Sequence, residues 1–283
     1  MREETVYHYT TLETLFHIIN QSTVNSLTLR ATHVDFLNDF TEHTIAVGLL
    51  KKELISYDNT LSNDSKNFSK TLNDKRMSFF RNEEIDELYP HIISFSECGD
   101  SLPMWNTYAD KSKGIALGFD KSLLAELNED YRLEKCEYDS SRYEEYLKQN
   151  IQKLHESTEV DSYSIGFTQD FDSSILQDHF KYLPILKDKG YAYEKECRLI
   201  IPNKISELSS LKFQVTDSIY KPYKEIEFPF ECLTEIILGP CLSLEKMKTS
   251  LNLILNQKGK KLSLNKKNGK ILLKQSEIPY RNV

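Results

Sequence analysis

Apolar residues recur along this chain with two periods, one of two and one of about three and a half, and the two kinds of stretch are interleaved from end to end. Val6-Tyr-His-Tyr-Thr10 alternates as a strand, with Val6, His8 and Thr10 on one face and the two tyrosines on the other. Thr10-Thr11-Leu12-Glu13 follows as a capping box, after which Leu12, Leu15, Phe16 and Ile19 repeat at helical spacing. Ser26 to Ala31 alternates again, Leu27, Leu29 and Ala31 opposite Ser26, Thr28 and Arg30, and leads to a polar turn at Asn38-Asp39. The spacing predicts helices over about residues 41–56, 75–88, 140–157, 161–184 and from 243 onward. It predicts strands over about 132–138, 191–201, 212–216, 225–228, 234–239 and 270–274, with 57–75 a solvated loop. The order neither alternates strictly nor segregates, which indicates an α+β fold: a single mixed domain over 1–283, with a central sheet system flanked by helices.

The stretch His91 to Asp120 carries the densest pattern. His91 to Ser96 places Ile93 and Phe95 opposite Ser94 and Ser96, as a half-covered strand does. Gly99 and Pro103 mark a turn, and Pro103 suits the first turn of a short helix, where a missing N–H has no partner to lose. Trp105, the single Trp, and Tyr108 lie three apart and share a helix face. Ile115 to Phe119 is an apolar strand in which Gly118 admits a close neighbour. A core hairpin with a helical insert accounts for all of this. So does a pocket lined by Ser94, Ser96 and Tyr108 and roofed by Trp105.

Composition narrows the classes. The 283 residues, 39% hydrophobic and 28% charged, can bury a sizeable core. Acids outnumber bases 43 to 36, a formal charge of -7, which argues against a protein that coats nucleic acid while leaving room for a local basic patch. The five cysteines are scattered and form no CxxC pair, so neither a disulfide framework nor a zinc knuckle is indicated and a reducing cytoplasm fits. The charged N-terminus reaches a strand at once, unlike a signal peptide, and no apolar run approaches a membrane span.

The second polar pattern lies in Ala192 to Ile201. On a strand, Glu194, Glu196 and Arg198 share one face while Tyr193, Cys197 and Leu199 share the other. A solvated charged face explains this; so does a cleft wall, where desolvated neighbouring carboxylates perturb each other's pKa. His8 sits just before a capped helix start, a place where anions collect. Arg30 and Asn38-Asp39 are looser candidates, read more simply as turn or cap elements. The other histidines show no ligand spacing, and HExxH, Walker, GxGxxG and GxSxG motifs are missing, so neither a metal site nor P-loop chemistry is expected.

Tyr7-His-Tyr-Thr10, Asn38-Asp39 with Glu42, Ser94-Phe-Ser96, Pro103-Met-Trp105, Tyr108-Ala-Asp110, Lys113-Gly114, Gly118-Phe-Asp120 and Tyr193-Glu-Lys-Glu196 with Arg198, taken together, resemble the domain-of-unknown-function family 2971 of bacteria and their mobile elements, over about residues 5–240. The chain departs from that pattern at Phe40, where a Pro is usual, and at Tyr191, where a Trp is usual; both changes touch turn shape and packing. More distantly the layout is similar to ADP-ribosyltransferases of the His-Tyr-Glu type, with His8, Tyr108 and Glu196 in the corresponding order. That resemblance implies NAD as substrate. His8 would hold the nicotinamide-side ribose and Tyr108 would stack on nicotinamide. Glu196, beside Glu194, would bond the 2′-hydroxyl and stabilise the cationic sugar, as a carboxylate does at a glycosidase. It also implies further NAD contacts from Thr10, Arg30, Ser94, Ser96, Trp105 and Arg198, a protein or nucleic-acid acceptor, no membrane partner, and a defence or toxin setting. Two other readings use the same residues: a non-catalytic module that binds a nucleotide, small molecule or protein, and a metal-independent nucleic-acid-processing enzyme built on His8 and a carboxylate.

Overall fold

The computed structural model describes residues 4–37, 41–60, 89–159, 181–216, 219–265 and 269–280. Within them β1 (Thr5–Thr10), β2 (Ser26–His33), β3 (His91–Ser96), β4 (Ile115–Asp120), β5 (Arg132–Lys135), β6 (Glu196–Ile201), β7 (Lys212–Val215), β8 (Tyr220–Pro229), β9 (Leu233–Leu238), β10 (Leu262–Ser263) and β11 (Ile271–Gln275) form one 11-stranded mixed sheet. The helices are α1 (Leu12–Gln21), α2 (Thr41–Asp58), α3 (Leu102–Tyr108), α4 (Lys121–Ala125), α5 (Ser141–Glu159) and α6 (Leu244–Asn256). The architecture is therefore the expected α+β. The helix expected over 75–88, the Asn38-Asp39 turn and most of the helix expected over 161–184 lie outside the described residues.

The sheet forks at β3. Along one edge β3 pairs antiparallel with β6 over its whole length, His91 opposite Ile201 through Ser96 opposite Glu196. Its other edge is shared: β1 meets it at Tyr7 opposite Ser96, and β2 meets it at the far end, at Thr32 opposite Ile92 and His33 opposite His91. Beyond β1 lie β4 and β9, and beyond β2 lies the hairpin of β8 and β7. Between the two arms, the middle of β3 has no strand on that second edge among the described residues.

Alternation sorts side chains between the faces. Val6, Leu27, Leu29, Ile93, Phe95, Leu117, Phe119, Cys197 and Leu199 point to one face, where α1 and α6 cover them through Leu15, Ile18, Ile19, Leu251 and Leu255. Each such fully buried aliphatic or phenyl side chain stabilises by about 1.5–3 kcal/mol. Ile92 and Ile200 point to the other face, against Leu50 and Leu54 of α2 and Tyr143 and Leu147 of α5. A smaller cluster on that same face joins Tyr9, Ala116 and Ile237 to Met104, Trp105 and Ala109. Helix α1 starts one residue later than the capping box suggests: Thr11 is the N-cap and its hydroxyl accepts the Thr14 N–H at 3.1 Å, a contribution of about 1 kcal/mol. The five cysteines are free thiols, and no helix among the described residues is long and apolar enough to cross a membrane.

Where β2 reaches β3, His91 is 0% exposed, with neither ring nitrogen hydrogen-bonded among the described residues and its ring set edge-on to His33 at 5.3 Å. Burial, then the charges of His33 and Lys224, push its pKa down from 6.5 to about 3. The folded chain thus refuses a proton that the unfolded chain accepts. The stability this confers is complete above pH 6.5 and is lost as pH falls from 6.5 toward 3. Between pH 6.5 and 5 the urea-unfolding free energy should fall by up to about 1.4 kcal/mol per pH unit on this account alone. His91→Leu should flatten that slope; an unchanged slope would place the acid sensitivity elsewhere.

Candidate functional site

A cavity of about 470 Å³ opens at the fork. Its walls come from β1 (Tyr7, His8, Tyr9), β3 (Ser94 to Ser96), α3 (Met104, Thr107, Tyr108), β6 (Glu196, Arg198) and the turn before β6 (Tyr191, Glu194). Lys187 completes that side, and Thr32, Phe36, Leu37, Gln214, Thr216 and Lys221 close the other. By register Tyr7, Ser94, Ser96, Glu196 and Arg198 share one sheet face, since Tyr7 stands opposite Ser96, Ser96 opposite Glu196 and Ser94 opposite Arg198.

At the floor is a buried ion network. Lys187 Nζ donates to Glu194 Oε2 at 2.6 Å and to Glu196 Oε2 at 2.7 Å. Arg198 grips Glu196 bidentately, Nε to Oε1 at 2.8 Å and Nη2 to Oε2 at 3.0 Å, and Nη1 donates to the Pro184 carbonyl at 2.8 Å. The Tyr108 hydroxyl donates to Glu194 Oε1 at 2.7 Å. All four charged residues are less than a tenth exposed. Burial alone would raise the Glu196 pKa; the Arg198 and Lys187 charges outweigh it and hold the carboxylate down at about 2. Tyr108 is pushed up, by burial first and then by its bond to Glu194, so it stays a neutral donor.

The sequence placed Glu194 on the same strand as Glu196 and Arg198, and the structure corrects this. β6 begins at Glu196, and 189–194 form a 3-10 turn capped by Asp188, whose carboxylate accepts the Gly190 N–H at 2.7 Å. Lys195 then takes a left-handed conformation (φ 44) that swings the chain into β6. Glu194 reaches Lys187 from a turn, not from a strand. Ser96 holds that turn: its buried hydroxyl donates to the Glu194 carbonyl at 2.6 Å and accepts the Cys98 N–H at 3.0 Å.

His8 belongs by register to the opposite face, beside Leu117 and edge-on to Phe95 at 6.0 Å. It reaches the cavity lining because the sheet is open there, and Nδ1 lies 3.0 Å from the Ser94 carbonyl. A carbonyl only accepts, so Nδ1 carries the proton and Nε2 the lone pair. Burial pulls the His8 pKa down, with the Ser94 bond opposing, so the ring is neutral near pH 7.

Of the residues singled out from sequence, His8, Ser94, Ser96, Tyr108, Glu194, Glu196 and Arg198 line this one cavity. Three do not. Trp105 is no roof: it is 0% exposed, packed on Tyr9 at 4.7 Å, with its indole N–H donated to Asp100 at 2.6 Å. Thr10 is buried at the end of β1, outside the lining. Arg30 is exposed on β2, its guanidinium 4.7 Å over the Tyr223 ring. Gly118 does admit close neighbours, but they are Glu235, Thr5 and Tyr7, and the Tyr7 hydroxyl donates to Glu235 at 2.8 Å. Lys187, the centre of the network, was missed. A lysine after the apolar run Leu183-Pro-Ile-Leu186 gives no hint of burial until the parallel bridge of Leu186 to Glu137 is known.

Because Lys187 serves two carboxylates, its loss leaves buried negative charge with one guanidinium to balance it. Lys187→Met should destabilise the fold by about 3–5 kcal/mol, and adding Glu194→Gln to it should recover part of that loss. Urea unfolding of the two single variants and the double variant tests this, and strictly additive effects would mean that the network carries no coupling.

Residues 104–199 match the family model described as "Protein of unknown function (DUF2971)", a segment that includes Tyr108, Lys187, Glu194, Glu196 and Arg198 but neither His8 nor Lys221. No curated protein and no solved structure matches the chain.

Proposed function

We propose that the cavity binds NAD and cleaves its bond to nicotinamide, transferring ADP-ribose to a protein or nucleic-acid acceptor. One observation carries the reading: His8 from β1, Tyr108 from α3, Glu194 from the turn and Glu196 from β6 converge on one cavity. At about 470 Å³ it falls within the range of about 300–1,000 Å³ usual for small-molecule sites. Rings of Tyr7, Tyr108, Tyr191 and Phe36 among its walls suit a planar base.

In such a reaction the bond from the ribose C1′ to the pyridinium nitrogen breaks heterolytically. Nicotinamide leaves with the electron pair, and the sugar passes through an oxocarbenium-like cation before the acceptor's lone pair reaches C1′ and the acceptor's proton is lost. A carboxylate stabilises that cation only as far as its charge is not already spent. Glu196 faces two cations at 2.7 to 3.0 Å, whereas Glu194 shares one of them and otherwise accepts from a neutral hydroxyl. We therefore assign the stabilising role to Glu194 with Tyr108, and to Glu196 the positioning of Lys187.

Nicotinamide release and acceptor labelling test this. Glu194→Gln should cost roughly a hundredfold in rate, about 3 kcal/mol in the barrier. Tyr108→Phe and His8→Ala should lower the rate as well, with each fold intact by circular dichroism. If the parent releases no nicotinamide across protein and nucleic-acid acceptors, the reading fails. A second reading has its own support: both carboxylates sit inside ion pairs and less than a tenth exposed, as in a rigid binding module. Under it the parent chain binds nucleotide without turnover, and Glu194→Gln alters affinity only.

A further inference from the structure

We infer that Lys221, paired with Gln214 on the β7–β8 hairpin, forms an anion subsite in the cavity wall facing away from the ion network, and that it takes the phosphate or diphosphate of the ligand. The inference deepens the reading above and rests on it for the identity of the ligand, though not for the subsite itself.

Charge bookkeeping in the cavity points to this residue. Lys187 and Arg198 are matched by Glu194 and Glu196 through contacts of 2.6 to 3.0 Å. Lys221 also lines the cavity, half-buried, and its side chain makes no hydrogen bond or ion pair among the described residues. It leaves the lining with one uncompensated positive charge, in a chain whose formal charge is -7. An exposed lysine needs no partner, but one set into a cavity wall gives up part of its hydration, which an anionic ligand restores.

The hairpin places the group. Gln214 stands directly opposite Lys221, so the two side chains share a face and begin about 4.5–5.5 Å apart. A carboxamide N–H and an ammonium at that spacing suit adjacent oxygens of a phosphate. Thr216, the third hairpin residue in the lining, spends its hydroxyl on the turn: it donates to the Ile219 carbonyl at 2.9 Å and accepts the Ile219 N–H at 3.3 Å. It holds the hairpin and leaves the anion to its neighbours. Alternation sends Phe213, Val215 and Tyr220 to the other side. In strand order β8, β2, β3, β6, two strands lie between Lys221 and Glu196, roughly 14 Å across the sheet at about 4.8 Å per strand, and the registers set Lys221 further along the strands as well, roughly 20 Å from the row of Glu196 at about 3.3 Å per residue. A ligand that spans the cavity therefore has its phosphate end at the hairpin and its sugar and ring at the network.

The test is calorimetric titration of the full chain with inorganic pyrophosphate, AMP and adenosine, for the parent, Lys221→Gln, Lys221→Arg and the exposed control Lys246→Gln. The parent should bind AMP at least tenfold more tightly than adenosine. Lys221→Gln should bring AMP down to the level of adenosine, weaken pyrophosphate at least tenfold and leave adenosine unchanged, while Lys221→Arg and Lys246→Gln keep the preference. Equal binding of AMP and adenosine by the parent, no binding of AMP or pyrophosphate, or an AMP preference that survives Lys221→Gln would each overturn the subsite. NAD turnover separates this from the reading beneath it. If nicotinamide is released and Lys221→Gln leaves KM unchanged, the subsite falls and cleavage stands. If AMP binds through Lys221 but no nicotinamide is released, cleavage falls and the subsite stands.

Discussion

Lys187 between two buried carboxylates is the contact on which the rest of the site depends. A lysine that is 7% exposed is stable only if its charge is answered, and here Glu194 and Glu196 each give it an oxygen within 2.7 Å. Two carboxylates against one ammonium would leave negative charge in a region shielded from water; Arg198 supplies the second cation and closes the balance. Each member fixes an element: Lys187 the segment after Pro184, Glu194 the turn ahead of β6, Glu196 and Arg198 the strand itself. The backbone is locked to match. Residues 136–138 join these parts, because Cys136 N–H donates to the Glu196 carbonyl, the Tyr138 hydroxyl accepts the Glu196 N–H, and Glu137 exchanges backbone bonds with Ile185 and Lys187.

A second constraint comes from the fork in the sheet. A strand with a full-length neighbour on one edge and two partial neighbours on the other has a gap, and backbone groups in a gap need partners. The Ser94 carbonyl finds one in the His8 ring. That single bond explains why a side chain assigned by register to the core face lines a cavity on the other, and why its proton sits on Nδ1. The opening in the sheet and the orientation of the histidine are the same structural fact.

Local period was legible in the sequence: the strands at Val6 to Thr10, Ser26 to Ala31 and His91 to Ser96 and the helix after Thr11 stand close to where alternation and spacing put them. Backbone handedness was less so. Nothing in Tyr193-Glu-Lys-Glu196 announces that Lys195 turns left-handed, so a 3-10 turn followed by a strand read as one long strand. Long-range pairing was not legible at all. Lys187 and Lys221 are ordinary lysines until topology sets one between two glutamates and the other in a cavity wall. Trp105 misled for a related reason. It reads as the roof of a pocket until Tyr9 packs on its ring and Asp100 takes its N–H.

That same Asp100 shows how far the site extends along the chain. Its carboxylate accepts not only from Trp105 but from the Ser276 hydroxyl at 2.6 Å and the Glu277 N–H at 2.8 Å, so the segment after β11 is tied to the helix that presents Tyr108. Ile278, like Tyr7 and Tyr108, packs against the cluster around Trp105. The segment shared with the family model, 104–199, holds the ion network, while His8 comes from the first strand, Lys221 from the eighth and the clasp on α3 from the residues after β11. The ion network within the shared segment is neutral in sum; the groups brought in from either side supply the one imidazole lone pair and the one unmatched cation of the cavity, among the described residues. The ion network and these groups that frame the cavity are thus carried by different parts of the sequence.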